Sequence, residues 1–311
     1  MSLPRVSIIT PSYNQAAFLE QTMRSVLEQD YPHLEYWVMD GGSADGSLEI
    51  IQRYELQLAG WAAQKDRGQA DAINKGFALS TGEIIAWLNS DDLYLPGALQ
   101  AAVQALQADP SLALVYGDVR SVDSRGRTFN VMHYGDWTLA DLMAFNILGQ
   151  PGVFMRRSAL ERAGYLDLNY HFLLDHQLWL RLAQQGGLKH IPRELAAARY
   201  HADAKNVAQA ARFGQEAYAI LDWMQSQPGL QNLLAANRRR IWAGAHRINA
   251  RYLLDGGQAG PALRAYLQSL RQHPPTALRE AHRMTYAALA LLGLGRLKDL
   301  YYRLRRGKVD L

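Results

Sequence analysis

Two adjacent carboxylates, Asp91 and Asp92, follow an apolar run in the stretch WLNSDD (87–92), with no basic residue beside them. Like charges side by side repel, and they are tolerated where water or a cation lies between them. As a bare turn, NSDD is a solvated loop ahead of the next helix. As chemistry, it is a hard-cation site. Mg2+ and Mn2+ prefer oxygen ligands, keep several waters, and take one or two carboxylates plus substrate phosphates. One carboxylate of the pair would then hold the metal and the other a sugar or ribose hydroxyl.

Further stretches carry residues of the same kind. Asp40 ends LEYWVMD and precedes GGSADGS, whose paired glycines let a ligand approach the backbone. It reads as an Asx-turn before a helix, or as an acceptor for a nucleobase imide or ribose hydroxyl. In KDRGQADAINKG (65–76), Asp71, Asn74 and Lys75 fall at i, i+3 and i+4 on one helix face. That face is either a surface ion pair or a polar stripe turned into a crevice. Asp175, in FLLDHQLWLRL, heads an amphipathic helix, where Asp serves as an N-cap or as a general base for an acceptor hydroxyl. His201, in RYH, stands at a strand exit.

The surrounding pattern supplies elements to position these groups. RVSIIT, LEYWVMD and EIIAWLN read as strands; AAFLEQTMRSVLEQ, SLEIIQRYELQL, GQADAINKGFALS and PGALQAAVQALQAD, opened by Pro96, read as helices. Short apolar runs alternating with amphipathic helices predict βαβ units and a parallel sheet. Ligands of such sheets sit beyond the carboxyl ends of the strands. Three strand exits, TPSYN (10–14), DGGSADGS (40–47) and NSDD (89–92), are therefore expected to meet at one crevice. Beyond residue 112, LALVYGDVRSVDSRG reads as a hairpin turning at Ser124–Gly126. After 205 helical patterns dominate, and ARYLLDGGQAGPALRAYLQSLRQHP reads as a helix–turn–helix within a helical appendage.

Bulk properties narrow the field. The chain has 311 residues, 49% hydrophobic and 20% charged, enough for a core without staples. It has no cysteine, which excludes disulfides and thiolate metal sites. The N-terminus reads as a first strand rather than a signal peptide, and the longest apolar run, YAALALLGLG (286–295), is too short to span a bilayer. Residues 1–205 carry 17 basic against 23 acidic side chains, a net of −6; residues 206–311 carry 16 against 6, a net of +10. No G-x-G-x-x-G or G-x-x-x-x-G-K-[ST] motif occurs, which removes the main support for dehydrogenase and P-loop readings.

Taken together, SIITPSYNQAAFLEQTMRSVLEQDYPHLEYWVMDGGSADGS, KDRGQADAINKGFALSTGEIIAWLNSDDLYLPGAL, GQPGVFMRR and LLDHQLWLRLAQQGG closely resemble family-2 glycosyltransferases, over about residues 4–205. The resemblance implies a GT-A fold, that is, a Rossmann-like mixed and mainly parallel sheet flanked by helices. It also implies inverting transfer from a nucleotide-diphospho-sugar, most often a UDP-sugar, to a hydroxyl of a glycan or lipid-linked acceptor in surface polysaccharide assembly. Carried onto this chain, it places Thr10, Pro11 and Tyr13 at the nucleoside, Asp40 and Asp66 at the base, and Asp71 and Asn74 toward the ribose and diphosphate. Asp91 would face the ribose or sugar, Asp92 would bind Mn2+ or Mg2+ directly, Asp175 would be the general base, and His201 would help hold the metal or diphosphate. Two positions depart from the family pattern: Leu174 stands where an acidic residue usually precedes the base, and the metal motif is Ser-Asp-Asp rather than Asp-x-Asp.

The expected organisation is a glycosyltransferase domain over 1–205, with a nucleotide-sugar half (1–110) and an acceptor half (111–205), and a basic helical region over 206–311. Clusters such as NRRRIW (237–242) and RLRRGK (303–308) suit contact with an anionic membrane surface, and the apolar helices suit a homodimer. No nucleic-acid motif accompanies the charge. The expected location is the cytoplasm, peripheral at the inner face of the plasma membrane. Two rivals stand beside this reading. A nucleotidyltransferase would want a Gly-rich basic loop after the first strand, where this chain has TPSYNQAA. A non-catalytic sugar-nucleotide-binding scaffold would not need both Asp92 and Asp175.

Overall fold

The computed structural model describes residues 3–201 and 209–294. The chain divides into two compact units: one holds the residues up to 122, 126–138 and 148–199; the other holds 123–125, 139–147 and the residues from 200 onward.

The first unit is an α/β sheet structure. Strands β1 (Val6–Ser12), β2 (Leu34–Asp40), β3 (Gly60–Ala63) and β4 (Ile84–Trp87) alternate with helices α1 (Ala16–Leu27), α2 (Ser47–Arg53) and α3 (Gln69–Leu79). All seven residues of β1 are buried, as expected of a central strand covered on both faces. It pairs in parallel with β2 and with β4, and β2 pairs in parallel with β3. The chain then runs through β5 (Leu93–Tyr94), α4 (Ala98–Ala108), β6 (Leu112–Val122), β7 (Thr128–Met132), α5 (Leu139–Met143), β8 (Val153–Arg156), α6 (Arg157–Ala163), α7 (Leu174–Leu182) and β9 (Gly187–Arg199). The sheet order is β3-β2-β1-β4-β8-β6-β9-β5, with β7 paired to β6. β8 lies antiparallel between β4 and β6, while β6 and β9 are parallel.

Register decides what each face carries. Ile85, Met155 and Leu114 align across β4, β8 and β6, and Val153 aligns with Tyr116. Side chains alternate with a period of two, so Trp87, Val153 and Tyr116 continue that row on the same face. The opposite face, with Ile84, Ala86, Phe154 and Val115, joins Leu19, Met23, Leu99 and Val103 of α1 and α4 in one apolar cluster.

Two local readings shift. Residues 47–58 do not form one helix: α2 stops at Arg53, a single 3-10 turn follows, and β3 begins at Gly60. A side chain at Gly60 would run into the Trp37 ring, which makes this four-residue strand glycine-dependent and invisible to alternation. Helix α4 starts at Ala98 rather than at Pro96, because Gly97 adopts a left-handed conformation (φ +75°) that no helix interior admits.

The second unit is helical. Besides α5 it contains α8 (Ala210–Ser226), α9 (Gln231–Asp255), α10 (Ala259–Gln272), α11 (Pro274–Leu278) and α12 (Ala281–Leu291). The expected helix–turn–helix is α9 and α10, turning through Gly257 at φ +77°. No helix among the described residues is long and apolar enough to cross a membrane.

A buried charge cluster ties this unit together. Glu280 Oε1 accepts hydrogen bonds from Arg247 (2.7 Å) and from Arg251, while Oε2 accepts from the Tyr266 hydroxyl at 2.8 Å. Burial alone would raise the Glu280 carboxyl, but Arg251 and Arg247 outweigh it and hold it at about 2. Glu280→Gln would leave the buried Arg247 and the part-buried Arg251 without their counter-charge, a loss of about 3–5 kcal/mol readable by urea unfolding. The native pKa lies below the ordinary 4.5, so the stabilisation is complete above that pH and is lost as pH falls toward 2. The variant should therefore lack that part of the acid limb.

Candidate active site

The exits of β1, β2 and β4 lie at the same end of the parallel sheet, and the first two are laced together by hydrogen bonds. Beyond β1, Asn14 takes a left-handed conformation (φ 52°), which Asn tolerates better than most residues. Its N–H donates to Ser43 Oγ (2.8 Å) and its Oδ1 accepts from the Ala44 N–H (3.0 Å). Asp45 accepts from the N–H of Ala16, the first residue of α1, at 2.9 Å, so that helix is capped from a neighbouring loop. Asp40 forms the Asx-turn: one carboxylate oxygen accepts from the N–H groups of Gly42 and Ser43, and the other accepts from Ser43 Oγ at 2.6 Å.

Tyr13, Asp40 and Asp66 come together around Gly41. A Cβ there would lie 2.7 Å from Asp66 Oδ2 and 3.3 Å from the Tyr13 ring, so a larger residue would have to displace the Asp66 carboxylate. Tyr13 is largely exposed. Asp40 and Asp66 line a small concavity with Gln64, Ala72 and Lys75. Asp71, in the first turn of α3, pairs with Arg67 (3.0 Å) and Lys75 (3.1 Å). Partial burial works against its charge, but the Arg67 N–H, Lys75 and the Arg67 guanidinium prevail and bring the carboxyl to about 2.

Two side chains from this set are taken up internally. Thr10 is fully buried, its hydroxyl 2.9 Å from the Tyr36 hydroxyl. Asn74 exchanges two hydrogen bonds with the backbone of Leu166, donating at 2.8 Å and accepting at 3.0 Å, and so ties α3 to the segment that leads into α7. Pro11 occupies the end of β1, paired with Met39.

The acidic loop is caged from four directions. Thr22 Oγ1 on α1 donates to the carbonyls of Ser90 (2.9 Å) and Asp92 (2.8 Å). Arg199, at the end of β9 and 3% exposed, donates through its guanidinium to the Asp91 carbonyl and to Gln21, and its charge lies over the Phe18 ring. The Arg199 N–H donates to Asp92 Oδ1 at 3.0 Å, and Asn89 donates to Asp92 Oδ2 at 3.2 Å. Asn89 is in turn held by Gln69 of α3 and by Gln150, and Gln150 also donates to the Trp87 carbonyl at 2.8 Å.

Asp92 is buried, and burial pushes its carboxyl well above the ordinary range, with the Asp91 charge pushing the same way. A cation at its edge would reverse both effects, and carboxylate oxygen is the donor that hard divalent ions select. The residues thus fit such an ion. Among the described residues no group of three or more acidic, His or Cys side chains could hold a metal; an ion held at Asp92 would draw on water and substrate phosphates, as Mg2+ commonly does.

Asp175 lies on the first turn of α7, inside the helix rather than at its N-cap, and its Oδ1 accepts from the His176 N–H at 2.7 Å. One helical turn on, Trp179 stacks against Trp87 with centroids 5.2 Å apart. The strand that ends in the acidic loop and the helix that bears Asp175 are therefore packed directly together. His201 is buried and belongs to the second unit. Sequence reasoning passed over Gln69, Gln150, Thr22 and Arg199. Gln150 sits in GQPGVFMRR, and Arg199 directly precedes the Tyr-His pair.

A sheet with this order, an acidic loop at the exit of its fourth strand and a carboxylate-bearing helix against that strand define a sugar-nucleotide-type α/β fold with solved counterparts. S. aureus TarS 1–349, crystallised with UDP-GlcNAc, matches with a TM-score of 0.63 at 16% identity, covering 93% of this chain and 92% of that one. The mannosyltransferase PcManGT of Pyrobaculum calidifontis, in complex with GDP-Man and Mn2+, matches with a TM-score of 0.62 at 22% identity, covering 97% and 88%. These establish the GT-A fold. Among curated relatives, the Bacillus subtilis protein named as the teichuronic acid biosynthesis glycosyltransferase TuaG is 29% identical over 189 residues, 59% of this chain and 73% of the relative. Some relatives are far longer proteins, of which the chain spans 16% and 28%. The model of glycosyl transferase family 2 matches residues 7–164, just over half of the chain. The chain belongs to glycosyl transferase family 2 and is a glycosyltransferase.

Proposed function

We propose that the protein transfers a sugar, with inversion, from a nucleotide-diphospho-sugar to a hydroxyl of a glycan or lipid-linked acceptor in surface polysaccharide assembly. The donor is a UDP-sugar. Support for the donor class comes from the UDP-GlcNAc and GDP-Man complexes of the fold neighbours, and support for the setting from the name of the TuaG relative. The observation that carries the reading is the Trp87–Trp179 stack, which joins the acidic loop and Asp175 in one unit.

Tyr13, Asp40 and Asp66 receive the nucleoside at the concavity beside Lys75, with Thr10 and Pro11 shaping the β1 end. Asp71 and Asn74 fix the α3 face toward ribose and diphosphate, Asn74 through residue 166. Asp91 takes a ribose or sugar hydroxyl. Asp92 would hold the divalent ion, Mn2+ or Mg2+. When bound, the ion supplies Lewis-acid stabilisation of the departing diphosphate. Asp175 accepts the proton of the acceptor hydroxyl as that oxygen attacks the anomeric carbon.

Residues 1–205 carry the catalysis and the basic region 206–311 meets the membrane surface or a second copy of the chain, at the inner face of the plasma membrane. Within NRRRIW, Arg240 pairs with Asp141 and Arg238 lies over the Trp242 ring at 5.1 Å; RLRRGK lies outside the described residues.

A thermal-shift panel of nucleoside diphosphates with and without Mn2+ tests the proposal. A stabilisation by UDP that requires the metal is expected, and indifference to every nucleotide would end it. Arg199→Ala should weaken metal-dependent UDP binding about tenfold by calorimetry. The variant leaves the Asp91 carbonyl and Gln21 without their donor, at about 1–3 kcal/mol, while the Asp40–Asp66 concavity is untouched.

A further inference from the structure

One aromatic and charged cluster on the sheet is not used by the chemistry above. On β6, Tyr116 and Asp118 stand two residues apart, and the loop after β7 folds back over them. The Tyr116 hydroxyl donates to the Gly135 carbonyl (2.6 Å) and accepts from the Trp137 N–H (2.8 Å). Asp118 receives the Tyr134 N–H at 3.1 Å, His133 Nδ1 at 2.6 Å and His190 Nε2 at 2.7 Å. The rings of Tyr134 and Trp137 meet edge to face at 5.4 Å, and both side chains are only partly buried. The His133 side chain is 70% exposed.

This cluster adjoins the candidate active site. Tyr116 lies in the same row and on the same sheet face as Trp87, two strands away, about 10 Å by strand spacing. Trp87 is the residue on which α7 rests. A second link is direct: a Cβ at Gly149 would stand 2.5 Å from the Tyr134 hydroxyl, and the next residue, Gln150, holds Asn89 of the acidic loop.

The geometry points to a pyranose-binding subsite for the acceptor, with the Trp137 and Tyr134 rings offering apolar faces to a sugar and the His133–Asp118 pair offering hydrogen bonds to its hydroxyls. It rests on the glycosyltransferase reading above and specifies that the part of the acceptor held here is carbohydrate. Amphipathic rings with a polar edge are suited to such a ligand. The charge pattern disfavours a phosphate. Both histidines hydrogen-bond to Asp118, and Lys189 pairs with Asp136 at 3.2 Å, so these groups already face carboxylates. Burial opposes the charge of Asp118, but hydrogen bonds from His133, Tyr134 and His190 hold its carboxyl below the ordinary range, so it remains an acceptor at neutral pH.

The test is saturation-transfer NMR on the full chain, with methyl glycosides of glucose, galactose and N-acetylglucosamine as probes and farnesyl phosphate as the lipid-phosphate arm. At least one glycoside should bind, and Trp137→Ala should weaken it tenfold or more. His133→Ala should weaken it severalfold; its exposed ring makes it the deciding variant if Trp137→Ala does not fold. Binding of UDP with Mn2+ should be unchanged in both. No glycoside binding by the wild type, equal binding by the folded variants, or loss confined to farnesyl phosphate would each overturn the subsite. Failure of the wild type to bind UDP with Mn2+ would instead strike the donor reading and leave the glycoside result to be read by itself.

Discussion

Asp175→Asn lowers sugar transfer by about 10²- to 10⁴-fold, the range that a positioned general base contributes, and leaves UDP binding in Mn2+ within twofold of wild type. The substitution keeps the side chain's shape and its oxygen toward the His176 N–H, so α7 and the Trp179 contact stay in place. What is lost is the capacity to take a proton. Initial rates of donor consumption with acceptor present, set beside UDP calorimetry, separate the two effects. If transfer survives, Asp175 is a helix residue only. If nucleotide binding falls as well, the role is structural.

Asp92→Asn has effects of opposite sign on stability and on binding. Asn keeps an acceptor for the Arg199 N–H and removes a carboxylate that burial and the Asp91 charge both oppose. The free protein should melt no lower than wild type, and on the electrostatics somewhat higher. The metal-dependent shift with UDP should vanish, an affinity loss of more than about a hundredfold, beyond what losing an outer partner of a metal ligand costs. Differential scanning fluorimetry with and without Mn2+ reads both signs in one experiment. A purely structural Asp92 would give a lower melting temperature and an intact shift.

Much of this arrangement is readable in the sequence because strand exits advertise themselves. TPSYN, DGGSADGS and NSDD each break an apolar run with turn-forming residues; the first two are laced together through Asn14 and Ser43, and the third is held to α3 through Asn89 and Gln69. The plain and the chemical readings also coexist. Asp40 does form the Asx-turn and Asp71 does pair with Lys75, while both still lie beside the concavity or the helix that bounds it. What escaped is what depends on long-range partners. Gln150 sits in the family-like stretch GQPGVFMRR but shows no role there, since its value lies in reaching Trp87 and Asn89, about sixty residues away in sequence. Arg199 looks like an ordinary strand-end base until Asp91, Gln21 and Phe18 are seen around it. The same holds for Asp118, whose two histidines arrive from separate strands and loops.

The two-residue strand β5 has a consequence out of proportion to its length. Leu93 and Tyr94 pair with Ala197 and Ala196, directly after the acidic pair, while Trp87 anchors the chain directly before it. The intervening segment is clamped at both ends, so its conformational entropy is surrendered during folding. An arriving ion meets a preorganised rim rather than a floppy one, and the calorimetric signature of its capture should be free of a large ordering penalty.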